Sequence, residues 1–126
     1  MAGELLSITE KFFAAVDELD LDRVTPVLAD DVEEIDEVSR RWLRGKTEVR
    51  GYFTEVLKAI SNVKSVISDA QERIWGDVGV LTCCLDQTYT MDGTDTTISA
   101  PTTLLFVRQD GTWRITLFHS YPLPER

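Results

Sequence analysis

Apolar residues in the first part of the chain recur at helical spacing. Between residues 5 and 19 they stand three or four positions apart, at Leu5, Ile8, Phe12 and Val16. This spacing predicts an amphipathic helix over Leu5–Leu19. The segment Ser7-Ile8-Thr9-Glu10 has the pattern of a capping box, so we expect the regular helix to begin near Ser7.

Two further helices are predicted before residue 62. Asp20 can cap a short helix in which Pro26 limits the length or introduces a kink. A third helix follows Gly45, with Thr47 as its expected cap. Its apolar face comprises Val49, Tyr52, Phe53, Val56 and Ile60.

The acidic segment Asp30–Glu37 lies between the second and third helices and is predicted to be extended. Alternation along a strand places neighbouring side chains on opposite faces. One face then carries Val32, Glu34 and Asp36, and the other carries Glu33, Ile35 and Glu37.

The pattern changes to long strands after residue 62. Four strands are predicted, at Val63–Trp75, Val78–Met91, Thr96–Arg108 and Trp113–Tyr121. The turn signals between them are Gly76-Asp77, Asp92-Gly93 and Asp110-Gly111, which favour an antiparallel meander. Helices followed by such a meander indicate one α+β domain over residues 1–126, with a curved antiparallel sheet packed on N-terminal helices.

Both faces of the strand Thr96–Arg108 carry apolar residues. Helices can cover one face, and a second copy of the chain is the expected cover for the other, so we predict a homodimer through the sheet. In the last strand, alternation places Trp113, Ile115, Leu117, His119 and Tyr121 on one face. This pattern predicts that His119 points to the same side as Trp113, toward the concave side of the sheet.

The charge and the cysteine content of the chain limit its expected partners and compartment. The 126 residues carry a net charge of −9, which disfavours binding to nucleic acid and to anionic membranes. The two cysteines, Cys83 and Cys84, are adjacent on a predicted strand and are not expected to bridge each other. The absence of a disulfide framework favours a reducing compartment, the cytoplasm.

Three segments resemble the SnoaL-like branch of the nuclear-transport-factor-2-like superfamily, which includes polyketide cyclases, ketosteroid isomerases, dehydratases and a kinase association domain. They are Leu19–Val24 with Leu28–Val32, Trp42–Gly45 with Val49–Phe53, and Thr103–Arg108 with Asp110-Gly111, Trp113–Ile115, His119-Ser120 and Pro122. The resemblance covers nearly the whole chain. It implies a cone-shaped sheet with a pocket between its concave face and the helices.

The ketosteroid isomerases within that superfamily offer a more specific comparison. The position of their carboxylate base corresponds here to Asp36, which the resemblance implies as a general base. The position of their first-helix tyrosine corresponds to Phe12, which has no hydroxyl, and that of their later aspartate lies near Thr103. The resemblance therefore implies a retained base without the family's two oxyanion donors, which leaves room for another proton transfer, a cyclisation or a dehydration.

The candidate acid–base groups are Asp36 and His119. His119 is the only histidine and can exchange protons near neutral pH. It can equally fill the core and hydrogen-bond a backbone group. Asp36 can act as a base if it faces the pocket, or it can remain solvated within its acidic segment.

Six further residues are expected to line a substrate pocket: Phe12, Trp42, Tyr52, Cys83, Thr103 and Tyr121. Aromatic residues and cysteines are also frequent in ordinary cores. No metal site is expected, because the chain has one histidine and lacks an EF-hand pattern. No cofactor is expected either, because phosphate-binding loop motifs are missing from the sequence.

Three functions remain open at this point. The first is a cofactor-independent isomerase, cyclase or dehydratase that acts on a small apolar carbonyl compound, with Asp36 as base and His119 as its acid partner. The second is a non-catalytic protein that binds a small apolar ligand in the same pocket. The third is an oligomerisation module whose product is the assembly itself.

Overall fold

Helices near the N-terminus pack on one six-stranded sheet in a computed structural model that describes residues 3–124. The elements in chain order are α1 (Glu4–Asp17), α2 (Leu21–Val24), a 3-10 turn (Thr25–Val27), β1 (Leu28–Asp36), β2 (Leu43–Arg44), α3 (Lys46–Ala59), β3 (Ile60–Trp75), β4 (Val78–Met91), β5 (Thr94–Gln109) and β6 (Thr112–Ser120). The predicted α+β class, with helices on a curved sheet, is confirmed.

The sheet is mixed rather than wholly antiparallel. Its strand order is β2-β1-β6-β5-β4-β3, and β3 to β6 form the predicted antiparallel meander. The added strand β1 runs parallel to β6, with Glu34 opposite Phe118 and Asp36 opposite Ser120. Parallel strands need a long connection, and α3 with the meander supplies it. Because β2 and β3 are the two edges, the described sheet stays open.

The first helix begins earlier than its capping box predicts. It starts at Glu4, directly after Gly3, which has a φ of 94°. The free amides of its first turn are satisfied from across the fold, because Glu72 of β3 accepts hydrogen bonds from the N–H groups of Leu5 and Leu6 at 3.3 and 2.9 Å. A tertiary cap of this kind replaces the local Ser7 cap.

The bounds of α3 also differ from the prediction. The helix begins at Lys46, which follows Gly45 in a left-handed backbone with φ 90°, so Thr47 lies inside the helix. It ends at Ala59, and Ile60 is extended and begins β3 instead of closing the helix. The short helix α2 behaves as expected: Asp20 accepts a hydrogen bond from the N–H of Arg23 at 3.3 Å, and Pro26 lies in the 3-10 turn that ends it.

The core lies between the helices and the face of the sheet that they cover, which we call the inner face. Residues of α1, α3, β4, β5 and β6 contribute to the core, among them Leu5, Phe12, Val16, Val49, Phe53, Leu81, Leu85, Leu104, Phe106 and Ile115. Partly buried Ile67 of β3 packs against this core. The opposite surface of the sheet is the outer face. It carries half-buried Leu105, Val107 and Leu117, so the predicted two-sided apolar character of β5 is present.

A β-bulge in β6 reverses the predicted alternation of that strand. Phe106 pairs with Ile115 while Leu105 pairs with Leu117, so Thr116 is an extra residue without a partner on β5. Such a bulge shifts all later side chains to the other face. Trp113 and Ile115 are buried against the core before it, and Phe118 and Ser120 are buried after it. The prediction that His119 shares a face with Trp113 is therefore wrong.

No helix among the described residues is long and apolar enough to cross a membrane.

Candidate active site

A small cavity lies between α1, α3 and the inner face of the sheet. Its volume is about 60 Å³. Six aromatic residues line it: Phe12, Phe13, Tyr52, Phe53, Tyr89 and Phe118. Its polar lining consists of Asp36, Glu37, Gln87 and Ser120, and the remainder is aliphatic. An apolar cavity with a few polar groups is typical of a small-molecule site.

The aromatic rings form a connected cluster. Phe12 of α1 contacts Phe13, Phe53 and Phe118, with centroid distances of 5.2, 6.4 and 5.8 Å. Tyr52 extends the cluster, 5.4 Å from Phe53. These contacts join α1, α3 and β6, so the wall of the cavity is also part of the hydrophobic core.

Asp36 ends β1 at the cavity, and three donors hold one of its carboxyl oxygens. Its Oδ1 accepts hydrogen bonds from the Tyr52 hydroxyl at 2.6 Å, the Val38 N–H at 2.9 Å and the Ser39 N–H at 2.7 Å. The other oxygen, Oδ2, accepts no hydrogen bond of regular geometry from the described residues. Asp36 lines the cavity, so its Oδ2 keeps free lone pairs there while the three bonds to Oδ1 fix the position of the carboxylate.

Glu34 lies two residues before Asp36 on the same face of β1 and is buried in the core. Its side chain is 1% exposed, and neither carboxyl oxygen makes a hydrogen bond of regular geometry. Burial raises the pKa of Glu34 to about 11, and nearby Asp36 adds to the rise, since a protonated Glu34 can direct its proton toward that carboxylate. Glu34 is therefore neutral at pH 7.

The other ionisable groups of the cavity also favour their protonated forms. Burial raises the pKa of Glu37 to about 7, and the charge of Asp36 contributes. Burial raises the pKa of Tyr52, and Asp36 raises it further, so this phenol stays protonated and donates. The pKa of Tyr89 is raised by burial and then by Glu37 and Asp36. The cavity thus combines one fixed hydrogen-bond acceptor with several groups able to donate protons.

The structure does not bring His119 together with Asp36. His119 follows the β6 bulge and lies on the outer face, opposite Thr103 of β5 and Ile35 of β1. Its ring packs near Trp42, with a centroid distance of 6.2 Å and an interplanar angle of 34°. Neither His119 nor Trp42 lines the cavity.

The other predicted pocket residues divide between the two faces. Phe12 and Tyr52 line the cavity, whereas Thr103 lies on the outer face beside His119, and Tyr121 follows the end of β6 outside the cavity lining. Cys83 is on the inner face in the core, and burial raises the pKa of its thiol to about 11. A thiol that resists ionisation is a poor nucleophile.

The residues of this region that sequence reasoning missed include Glu34, Glu37, Tyr89, Phe118 and Ser120. The alternation of β1 already placed Glu34 beside Asp36, and the period of two from Leu81 through Leu85 reaches Tyr89 on β4. The bulge concealed Phe118 and Ser120. Glu37 follows the last residue of β1, where the chain turns and alternation no longer applies.

Within residues 3–124, no group of three or more histidine, cysteine, aspartate or glutamate side chains is arranged to hold a metal ion.

Comparison with known proteins identifies a family for the chain. The model of a family described as SnoaL-like domain matches residues 5–124. No curated protein sequence matches the chain.

Solved structures share the fold. A protein from Xanthomonas campestris, provisionally described as a calcium/calmodulin dependent protein kinase II association domain, has a TM-score of 0.87 and 24% identity, over 100% of this chain and 90% of that one. A ketosteroid isomerase-like protein from Erwinia carotovora atroseptica has a TM-score of 0.80 and 15% identity, over 94% and 93%. An NTF2-like protein with a cystatin-like fold from Novosphingobium aromaticivorans has a TM-score of 0.77 and 14% identity, over 98% and 82%.

Proposed function

The chain belongs to the SnoaL-like domain family, and from this premise and the geometry of the cavity we propose that it is a cofactor-independent isomerase, cyclase or dehydratase. Its substrate is a small, mainly apolar carbonyl compound. The observation that supports this proposal is the carboxylate of Asp36, held by Tyr52 at the wall of an aromatic cavity. A fixed base near apolar rings suits removal of a proton from carbon.

The proposed roles follow from the state of each group. Oδ2 of Asp36 takes a proton from the carbon next to the carbonyl, and the C–H electron pair moves toward the carbonyl oxygen. Glu37 lies on the same cavity wall with a pKa of about 7, so at neutral pH a large share of it carries a proton that it can give to the enolate. Proton exchange with solvent then returns Asp36 to its ionised form and Glu37 to its protonated form. The Tyr89 hydroxyl is a further donor for the developing negative charge. Tyr52 positions Asp36 and does not itself exchange the proton.

The test is exchange of substrate protons with solvent. Small ketones and aldehydes are incubated with the protein in D₂O, and NMR follows deuterium uptake at the carbon next to the carbonyl. Asp36→Asn should slow this exchange by about 10²- to 10⁴-fold, the usual contribution of a general base. Glu33→Gln is the matched control, since it removes one charge from the same strand on the other face. Exchange that persists in Asp36→Asn contradicts the proposal.

A non-catalytic binding protein is the second candidate. Two observations favour it: the cavity is only about 60 Å³, and the only histidine of the chain lies outside the cavity lining. This candidate predicts ligand binding without exchange in D₂O, and binding that survives Asp36→Asn.

We also propose that the chain forms a homodimer through the outer face of the sheet. Support comes from the apolar, half-buried side chains of β5 and β6 there, Leu105, Val107 and Leu117, with Trp42 at 37% exposure nearby. Light scattering should give a molecular mass twice that of the 14.3 kDa chain. Leu105→Arg should reduce the measured mass to that of one chain, because a charge on the outer face disrupts the contact between copies. A monomeric native protein contradicts this proposal.

A further inference from the structure

The cavity carries negative groups without a positive partner. Asp36 and Glu37 line it, and none of its lining residues is a lysine, an arginine or the histidine. A third carboxyl, that of Glu34, lies behind Asp36 with no hydrogen bond of regular geometry. Among the described residues, none of these three carboxyls takes part in a salt bridge. Because Glu34 is neutral, the negative charge belongs to Asp36 and to the ionised share of Glu37, and no cationic side chain in the cavity lining balances it.

The rest of the wall is suited to a cation. Six aromatic residues line the cavity together with Asp36 and Glu37, and the contacting rings meet at interplanar angles of 48° to 77°. Rings at such varied angles do not all present their edges in one direction. The face of an aromatic ring attracts a cation, and the attraction is strongest when the pair is shielded from water.

We propose that the ligand of this cavity is a small organic cation, an amine or quaternary ammonium group on an apolar body, whose charge is balanced by Asp36 and Glu37 within the aromatic wall. This inference rests on the proposed function only in that both assign the ligand to the same cavity. It specifies the substrate class: a carbonyl compound that acts as substrate also carries a positively charged nitrogen.

Charge and size exclude the alternatives. An anion would add a like charge beside Asp36, which costs free energy in a site of low dielectric constant. A neutral ligand would displace water from Asp36 and Glu37 without supplying a counter-charge. The volume of about 60 Å³ exceeds the roughly 15 Å³ that one water needs, but it is far below the usual volume for a drug-sized ligand. The cation is therefore small, of the size of a trimethylammonium group with a short chain.

A pair of probes with the same shape tests the inference on the native protein. Choline carries a trimethylammonium group, and 3,3-dimethyl-1-butanol replaces that nitrogen by carbon. Titration calorimetry or NMR shift titration should show choline binding at least about tenfold more tightly than the alcohol, a difference of about 1.4 kcal/mol. Asp36→Asn and Glu37→Gln should each reduce this ratio, and Glu33→Gln should preserve it.

The outcomes separate this inference from the proposed function. Equal or tighter binding of the neutral alcohol overturns the inference, even if Asp36-dependent deuterium exchange on neutral carbonyl compounds supports the proposed function. Preferential choline binding that depends on Asp36 supports the inference, even if no carbonyl compound exchanges. Shifts of resonances outside the cavity lining, or a ratio unchanged in Asp36→Asn and Glu37→Gln, also overturn it.

Discussion

Replacement of Glu34 by glutamine should make the protein more stable at neutral pH. The glutamate is 1% exposed and its carboxyl oxygens have no regular hydrogen bond, so the folded protein holds it in the neutral form. Its pKa rises from 4.5 to about 11 on folding. Because the folded-state pKa is the higher one, stability from Glu34 is fully present below pH 4.5 and is lost as the pH rises toward 11.

The size of this stability gain follows from the difference between the two pKa values of Glu34. Each pH unit above the unfolded value costs the fold about 1.36 kcal/mol. At about pH 7.5, three units above 4.5, the upper estimate is about 4 kcal/mol of lost stability. Glutamine has nearly the same shape and does not ionise in the unfolded chain. Glu34→Gln should therefore raise the free energy of unfolding at this pH by up to that amount, and the gain should shrink to near zero at pH 4.5.

Urea denaturation, followed by tryptophan fluorescence at a series of pH values, measures the difference. Glu33→Gln is the matched control, since Glu33 is 42% exposed and lies 3.4 Å from Arg44, a surface pair worth at most about 1 kcal/mol. The reasoning is refuted if Glu34→Gln is less stable than the native protein at neutral pH. It is also refuted if the difference between them stays constant as the pH is lowered.

Three further predictions concern the cavity. Phe12→Ala should lower the free energy of unfolding by about 3–5 kcal/mol in the same assay, because Phe12 is 2% exposed and contacts three other rings of the aromatic cluster. A smaller loss would show that the cluster repacks to fill the space left by the ring. Tyr52→Phe should slow deuterium exchange in D₂O without unfolding the protein, because Asp36 loses its 2.6 Å hydrogen bond; an unchanged rate would remove Tyr52 from the site. Choline affinity should rise as the pH passes 7, because Glu37 then ionises in a site that it shares with Asp36, Glu34, Tyr52 and Tyr89. Glu37→Gln should flatten this rise in affinity. A steep rise that persists in Glu37→Gln would assign the pH dependence to another group.

Local patterns predicted the long elements of this fold well because periodicity and turn signals mark them over their own length. The strand β4 was expected over Val78–Met91 and is found there. Differences arise where a distant residue replaces a local signal. Glu72 of β3 caps α1, so the helix starts before its own capping box at Ser7. No pattern within residues 4 to 10 contains that information.

The candidate site was harder to predict because one residue changes the face of a whole strand end. Strict alternation in β6 pointed His119 inward, and the extra residue Thr116 turned it outward and brought Phe118 and Ser120 to the cavity. The sequence around Thr116 contains no glycine or proline that would mark a bulge. Alternation placed Asp36 on the same face of β1 as Glu34, and the structure agrees because β1 contains no bulge between Glu33 and its end at Asp36.

Burial depth along β1 gives its carboxyl groups different tasks. Glu34 lies in the core and is neutral, while Asp36, one period later, accepts three hydrogen bonds at the cavity wall. Glu37 follows the strand, and burial raises its pKa to about 7. Carboxyls whose environments separate their protonation states can act as acceptor and donor in one reaction. No lysine, arginine or histidine lines the cavity to favour the charged forms of these carboxyls. The missing counter-charge and the capacity for proton transfer are thus two consequences of one arrangement.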